Sequence, residues 1–257
     1  QSYLFHIFSK YYFEIWSLLQ FVIKFFAAKK VPFKLMSRQT KNHAFKLMGL
    51  DTLIEIPFDQ DISRLEPEMF IQELLVKYFK FSCVVVGEDF KFGFERRGNA
   101  NLLKDIGRTL NLDVKIAPLV KSHGNEISST AIRKVLAEGK PEEAAKMLGR
   151  WYSIAGIVSK GDQRGRTLGF PTINLQLKNL HLPKFGIYSA IVNVWTGSKK
   201  GSYLAVASIG ARPTYGEREP NLEAYLFNFS GNLYFEDVEV SLVHFQRPEV
   251  KFDSSEQ

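Results

Sequence analysis

The feature that most constrains the fold is a change of pattern near Arg150. Before it, buried strand-like runs alternate with helix-like stretches, and after it short strand-like runs follow one another with glycine and proline turns between them. Alternating strands and helices indicate a parallel sheet covered by helices, whereas successive short strands indicate a small barrel or sandwich. The sequence therefore predicts an α+β chain with a domain boundary near Arg150.

Local signals refine both parts of the chain. Before the boundary, strands are predicted at 53–56, 82–86 and 114–117, and helices at 66–80, 101–110, 129–138 and 141–148. Pro67 suits a first helical turn, and Gly139 and Gly149 suit helix ends. After the boundary, strands are predicted at 151–158, 187–195, 203–209, 223–229 and 238–245. The predicted domains are therefore 31–150 and 151–257, with 1–30 assigned to neither.

Composition narrows the classes of partner and compartment. The 257 residues carry a net charge of +7, which favours an anionic partner such as nucleotide phosphates. The single cysteine, Cys83, cannot form an internal disulfide, so a reducing, cytoplasmic location is expected. Residues 1–30 are rich in apolar side chains, but Gln20 and Lys24 interrupt them, so the roughly 20 apolar residues of a membrane span are not present. No membrane partner is expected.

The most informative stretch is 161–174, which reads GDQRGRTLGFPTIN. Its first nine residues combine regularly spaced glycines with basic and hydroxyl side chains: Gly161, Arg164, Gly165, Arg166, Thr167 and Gly169. Glycines let backbone amides approach a polyphosphate, and arginines add positive charge. The spacing is not that of a Walker A loop. Taken by itself, such a loop is weak evidence for a phosphate site, because it is more typical of a solvated hairpin turn.

Thr172 and Asn174 follow this loop directly, after Pro171. In a strand, residues two apart point to one face, so a hydroxyl and an amide oxygen would be presented together. Mg²⁺ accepts such hard oxygen ligands when nucleotide phosphates supply the rest. An ordinary polar strand face is the alternative interpretation.

Glu223 is the third candidate for chemistry. Alternation along the predicted strand places it with Tyr225, Phe227 and Phe229, the more aromatic side. A carboxylate on the apolar side of a small barrel is costly unless it is paired or functional, and it could serve as a general base on a hydroxyl. A solvated strand end is the alternative.

Another group of candidates lies before the boundary. Ser128, Ser129 and Thr130 open a predicted helix, whose free amides suit a phosphate, and Arg133 follows about one turn later. Asp89 and Phe90 follow a predicted strand, where ligands of α/β sheets usually bind. An ordinary helix cap and an ordinary loop explain the same residues.

Five stretches, in order, resemble the riboflavin kinase family: 156–175, 183–190, 208–214, 222–227 and 244–249. The resemblance implies a six-stranded antiparallel barrel that phosphorylates riboflavin to FMN with ATP. It implies that Thr172 and Asn174 hold Mg²⁺ with the ATP phosphates, that loop 161–169 covers the nucleotide and that Glu223 is the base for the ribityl 5′-hydroxyl. Tyr225 stands where the family usually has His, and Asn228 where it often has Asp. The family's C-terminal helix, which helps to close the flavin site, would follow residue 257.

Three further stretches, 56–59, 85–93 and 127–133, resemble the FMN adenylyltransferase module of bifunctional bacterial FAD synthetase. The resemblance implies a Rossmann-like α/β nucleotidyltransferase. Its phosphate and flavin site would include Gly87, Asp89, Phe90, Ser128, Ser129, Thr130 and Arg133. The family's Gly-x-Phe-Asp-Gly-x-His-x-Gly-His segment has no counterpart, because His6 and His43 lack the flanking glycines. We therefore expect adenylyl transfer to be absent or very weak.

Two other classes of function fit parts of the sequence. A flavin-binding remnant without catalysis would bind riboflavin but not turn over ATP. A basic barrel could bind single-stranded nucleic acid, which net charge and aromatic content permit but the ordered motifs do not favour. The oligomeric state stays open.

Overall fold

A computed structural model describes residues 14–16, 34–56, 59–122, 125–160, 170–177, 179–214 and 217–249. The chain divides into two compact units. Among the described residues, one unit holds 34–53 and 128–249, and the other holds 54–127. No helix within the described residues is long and apolar enough to cross a membrane.

The strands, in chain order, are β1 (Glu14–Trp16), β2 (Thr52–Ile54), β3 (Cys83–Gly87), β4 (Lys91–Phe92), β5 (Gly98–Asn99), β6 (Asp113–Ala117), β7 (Lys121–Ser122), β8 (Asn125–Glu126), β9 (Tyr152–Ile157), β10 (Thr172–Gln176), β11 (Gly186–Val194), β12 (Gly201–Thr214), β13 (Glu217–Leu226) and β14 (Asp237–Arg247). The helices are α1 (Arg38–Leu47), α2 (Gln60–Ser63), α3 (Pro67–Met69), α4 (Ala100–Thr109), α5 (Ser129–Ala137) and α6 (Pro141–Leu148). A π-helix (Phe70–Tyr78) continues α3, and a 3-10 turn spans Phe94–Arg96.

Strands β9 to β14 form a six-stranded antiparallel sheet within the described part of the chain, in the order β10-β13-β12-β11-β14-β9. Its two edge strands meet at one bridge beyond the end of β9, where the Ser159 N–H donates to the Asn174 carbonyl over 2.9 Å. The sheet is therefore curled, which confirms the six-stranded antiparallel architecture expected from the resemblance.

The core of this sheet lies on one face, because alternate residues are buried along β11, along 203–209 of β12 and along 221–226 of β13. In β11 the residues Gly186, Tyr188, Ala190, Val192 and Val194 are buried, and the residues between them are only half-buried. The other strands add a matching set of apolar side chains: Ile154, Ile173, Leu175, Ala205, Ala207, Ile209, Leu222, Ala224, Leu226, Val238, Val240 and Leu242. The opposite face carries side chains of mixed polarity, such as Ile187, Ser189, Ile191 and Glu223, which are half-buried.

The other unit has the predicted α/β character. Strands β3 and β6 pair in parallel, with Cys83 opposite Asp113 and Gly87 opposite Ala117. Helix α4 begins after Asn99, whose side chain accepts a hydrogen bond from the Leu102 N–H over 2.9 Å. The core comprises Phe70, Ile71, Leu75, Phe92, Leu103, Leu112 and Val114.

The helix predicted over 66–80 begins with Pro67 as expected, but its body is a π-helix. The Phe79 N–H donates to the Leu74 carbonyl, five residues earlier, over 3.0 Å. The wider turn brings Phe70 and Leu75, which are also five residues apart, into the same core. Apolar spacing of this kind does not distinguish a π-helix from an α-helix in a sequence.

Candidate functional site

The register between β10 and β13 gathers the three candidates for chemistry. Asn174 lies directly opposite Glu223, and Thr172 lies opposite Tyr225. Residues paired across antiparallel strands, and residues two apart along one strand, share a face. Thr172, Asn174 and Glu223 therefore stand together on the face of the curled sheet that is turned away from its core.

Hydrogen bonds hold the Glu223 carboxylate from two sides. The Thr172 Oγ1–H donates to Glu223 Oε2 over 3.3 Å, and the Asn221 Nδ2–H donates to Glu223 Oε1 over 3.3 Å. Both donors are neutral, and an ionised carboxylate can only accept. The two contacts thus orient the carboxylate between Thr172 and Asn221.

Asn174 is almost fully enclosed, at 7% exposure, and its Nδ2–H donates to the carbonyl of Thr172 over 3.4 Å. The side chains around it offer a hydroxyl, an amide oxygen and a carboxylate, which are the hard oxygen donors that Mg²⁺ prefers. Within the described residues, no cluster of three or more His, Cys, Asp or Glu side chains could hold a metal by itself. The three oxygen-bearing side chains together suit a divalent cation.

Glu223 does alternate with Tyr225, as predicted, but the expectation that this is the apolar side was wrong. The core side of β13 consists of Leu222, Ala224 and Leu226. Along β13 these smaller side chains fill the core side, and the half-buried Tyr225 ring stands on the other side.

The strand also ends earlier than the predicted 223–229. Strand β13 stops at Leu226, and Asn228 adopts a left-handed turn with φ 54°. Phe227 is 44% exposed, and Phe229 is not part of the strand.

An aromatic row borders the three polar residues. The Phe170 ring meets the Tyr225 ring edge-on at 5.4 Å between centroids, and the Tyr225 ring meets the Phe227 ring edge-on at 5.6 Å. Phe170 is 61% exposed. Exposed ring faces of this kind suit contact with a flat heteroaromatic ligand.

Three residues near Glu223 were not predicted as site residues: Asn221, Ser208 and Gly210. Asn221 could have been found, because it lies two residues before Glu223 on the same strand. Ser208 lies opposite Glu223 on β12, and Gly210 lies opposite Asn221. A Cβ at Gly210 would collide with the carboxylate of Glu249, so this glycine leaves room for a second acidic group beside the site. The register between β12 and β13 brings these residues together. The sequence of one strand alone does not predict that register.

The predicted phosphate loop, with Gly161, Arg164, Gly165, Arg166, Thr167 and Gly169, lies outside the described residues. The candidates at the start of α5 belong to the same compact unit as the curled sheet. Ser128 Oγ accepts a hydrogen bond from the Ala131 N–H over 3.2 Å, as a helix cap does. Arg133 Nη2 donates to Thr130 Oγ1 over 3.1 Å, and Ser129 and Thr130 are exposed.

Gly87, Asp89 and Phe90 lie in the other unit, at the carboxyl ends of parallel strands β3 and β6. The Phe90 N–H donates to the Gly87 carbonyl over 3.0 Å, which closes a tight turn. A Cβ at Gly87 would stand 2.8 Å from Asp89 Oδ1, so a larger residue would displace the Asp89 carboxylate. The ends of such strands are the usual ligand position in α/β sheets.

His181, which was not predicted as a site residue, joins α5 to the chain that precedes β11. Its Nε2 lies 2.9 Å from the carbonyl of Arg133. A carbonyl only accepts, so Nε2 carries the hydrogen. Burial lowers the pKa of His181 below its usual value of 6.5, and the hydrogen bond to the Arg133 carbonyl opposes that shift.

Comparisons with known proteins define the class. The riboflavin kinase family model matches residues 148–257, and the FAD synthetase family model matches residues 21–131. The second match starts inside the segment that the sequence pattern assigned to no domain.

Similar proteins carry both names at once. The bifunctional riboflavin kinase/FMN adenylyltransferase of Buchnera aphidicola (subspecies Schizaphis graminum) is 37% identical, over 90% of this chain and 74% of its own length. The Haemophilus influenzae and Escherichia coli proteins of the same name are each 34% identical, over 90% of this chain and 74% and 73% of their own lengths. A crystal structure described as a macrolide-efflux protein from Streptococcus pneumoniae is 28% identical, with a TM-score of 0.78 over 95% of this chain and 78% of that one. The chain belongs to the bifunctional riboflavin kinase/FMN adenylyltransferase family.

Proposed function

We propose that the curled sheet of this chain transfers the γ-phosphoryl group of ATP to the ribityl 5′-hydroxyl of riboflavin. The observation that carries the proposal is the hydrogen-bonded arrangement of Thr172, Asn174 and Glu223 on the outer face of the sheet. Phosphoryl transfer needs mainly positioning and charge neutralisation, together with a group that accepts the hydroxyl proton. These three residues offer oxygen donors for a cation and one oriented carboxylate.

The proposed roles follow from the contacts. Glu223 accepts the proton of the 5′-hydroxyl as that oxygen bonds to the γ-phosphorus, and the bond to the bridging β,γ-oxygen breaks to release ADP. Thr172 and Asn174 orient the phosphates through a divalent cation, which we propose to be Mg²⁺. When bound, the cation neutralises the charge of the phosphates. Asn221 keeps the carboxylate in the plane in which it meets the hydroxyl.

Loop 161–169, with its glycines and arginines, is proposed to cover the nucleotide. The exposed rings of Phe170 and Phe227, with the half-buried ring of Tyr225 between them, extend the same face, where a flat ring of either substrate would find an aromatic surface. We propose that riboflavin, ATP and FMN are the small molecules that this protein binds. We also propose that it is located in the cytoplasm.

The direct test supplies riboflavin and Mg-ATP and follows FMN by chromatography. Stoichiometric FMN and ADP support the proposal. Riboflavin binding without ATP turnover would instead identify a non-catalytic flavin-binding remnant. Tight, salt-sensitive binding of a single-stranded oligonucleotide, without protection by riboflavin, would favour the nucleic-acid alternative.

We also propose that these 257 residues, assayed as they stand, form FAD from FMN and ATP very slowly or not at all. The proposal rests on the sequence, in which no segment supplies the paired, glycine-flanked histidines of the family's ATP site. FAD formation at a rate comparable to FMN formation would contradict it.

A further inference from the structure

Helix α1 is fastened to the outer edge of β9 by two hydroxyl groups. The Ser37 Oγ–H donates to the carbonyl of Ala155 over 3.0 Å, and the Ala155 N–H donates to Thr40 Oγ1 over 3.1 Å. Both backbone groups of one edge-strand residue are thereby satisfied by side chains of a helix. Two side chains thus take the place that a neighbouring strand would occupy.

The protons of this contact, which we call the hydroxyl clip (Ser37 and Thr40), can be assigned without conflict. The Ser37 hydroxyl hydrogen is committed to the Ala155 carbonyl, so the 3.0 Å contact between Ser37 Oγ and Thr40 Oγ1 takes its hydrogen from Thr40. Ser37 Oγ also accepts from the Thr40 N–H over 3.0 Å, as the cap of α1. Each member therefore depends on the other.

The clip is enclosed by the protein. Thr40 is 1% exposed and Ala155 is 4% exposed. In β9, unlike β11, four consecutive residues are buried, so both faces of this strand are covered. A buried backbone N–H or carbonyl that loses its partner is costly, and water cannot replace the clip at low cost.

Strand β9 connects the clip to the proposed kinase site. Four residues after Ala155, the Ser159 N–H donates to the Asn174 carbonyl over 2.9 Å, and Ser159 Oγ–H donates to the same carbonyl over 3.2 Å. Asn174 is the proposed cation ligand opposite Glu223. The position of its backbone is therefore tied to β9, and β9 is tied to α1.

We propose that Ser37 and Thr40 are positioning residues for phosphoryl transfer, and that they act on Asn174 through β9 and Ser159. The inference rests on the proposed kinase function. Helix α1 lies within the match to the FAD synthetase model, whereas β9 and β10 lie within the match to the riboflavin kinase model. A helix assigned by sequence to one activity thus helps to build the site of the other.

The kinetic test compares Thr40→Val with Thr40→Ser. Valine keeps the shape but removes both hydrogen bonds of the side chain, so the KM for Mg-ATP is expected to rise about three- to tenfold, as for the loss of one or two buried hydrogen bonds. The KM for riboflavin should change little. Thr40→Ser should restore the wild-type value. Thr109→Val is the control, because Thr109 Oγ1 donates to the carbonyl of Ile106 at the exposed end of α4 in the other unit.

Two results would overturn the inference. One is a Thr40→Val enzyme with lowered thermal stability but unchanged KM for Mg-ATP. The other is a Thr109→Val enzyme whose KM for Mg-ATP rises as much as that of Thr40→Val. If Thr40→Val does not fold, Ser37→Ala takes its place with the same criteria. A double-variant cycle with Ser159→Ala should be non-additive in the KM for Mg-ATP, since both changes act on Asn174, and additive effects would contradict the route through β9.

Hydrogen exchange separates this inference from the kinase proposal, because it requires no activity. In Thr40→Val the amides of Ala155 and Ser159 should exchange faster than in the wild type, and in Thr40→Ser they should not. Faster exchange in a protein that makes no FMN would support the clip and reject the kinase assignment. If the Ser159 amide of Thr40→Val exchanges at the wild-type rate, the hydroxyl clip does not act on Asn174, whether or not the protein is an active kinase.

Discussion

The pair β10–β13 and the start of α5 both carry hydroxyl side chains that the sequence predicted to lie at a phosphate site. The hydroxyls of the two regions differ in their hydrogen-bond partners. At β10 and β13, strand pairing places Thr172 opposite Tyr225 on an outer face, and the Thr172 hydroxyl donates to the carboxylate of Glu223. At the start of α5, the hydroxyl of Ser128 caps its own helix. The comparison shows that residue type is insufficient to identify a site. What matters is whether the hydrogen bond serves the backbone or another functional side chain.

The variant Glu223→Gln is expected to have the largest effect on FMN formation. The amide keeps the shape but cannot accept the 5′-hydroxyl proton, so kcat for FMN formation should fall about 10²- to 10⁴-fold. Riboflavin binding, measured by quenching of flavin fluorescence, should persist. Glu138→Gln is the control, because that carboxylate pairs with Lys140 on the surface, and it should keep full activity. Full turnover by Glu223→Gln would refute the assignment of the base.

Thr172→Val tests the oriented hydroxyl with a smaller expected effect. Loss of the donor to Glu223 Oε2, and of the proposed cation ligand, should raise the KM for Mg-ATP about tenfold, as for a charge-assisted hydrogen bond. Thr172→Ser should recover most of the loss. Equal kinetics for the valine and serine variants would show that the hydroxyl has no role.

The variant Ser128→Ala tests whether the hydroxyl at the start of α5 serves only as a helix cap. Loss of the helix cap should lower the free energy of unfolding by about 1 kcal/mol, measured by urea titration, and should leave kcat for FMN formation unchanged. Ser129→Ala, at an exposed neighbouring position, should leave stability unchanged. A Ser128→Ala protein of wild-type stability but weaker nucleotide binding would show that this hydroxyl serves a ligand after all.

The smallest predicted effect concerns pH. Burial lowers the pKa of His181 in the folded state, so below about pH 6.5 the unfolded chain binds a proton that the folded chain does not. The contribution of His181 to stability is therefore present above that pH and is lost as the pH falls towards the lowered folded pKa. Unfolding midpoints between about pH 7.5 and about pH 5.5 should fall less for His181→Asn than for the wild type. If the unfolding midpoint falls equally with pH in His181→Asn and in the wild type, His181 does not contribute to the pH dependence of stability.

The sequence was most informative where a local pattern determines the structure. Pro67, Gly139 and Gly149 marked the ends of helices, and alternation placed Glu223 and Tyr225 on one face. These features depend only on neighbours along the chain.

Features that depend on partner strands were not accessible in the same way. Which face of β13 is the core follows from what packs against Leu222 and Ala224, and the position of Ser208 opposite Glu223 follows from the register of β12. The contact of Ser37 and Thr40 with Ala155 joins residues more than a hundred positions apart. No local periodicity encodes such a pairing.

The central claim is that strand register makes Thr172 and Glu223 one functional unit, and a double-variant cycle tests it most directly. We would measure kcat/KM for Mg-ATP in the wild type, Thr172→Val, Glu223→Gln and the double variant. Because residues that act as a unit are strongly non-additive, the double variant should be hardly slower than Glu223→Gln alone. If the two losses multiply in full, the hydroxyl and the carboxylate act independently, and the account is contradicted.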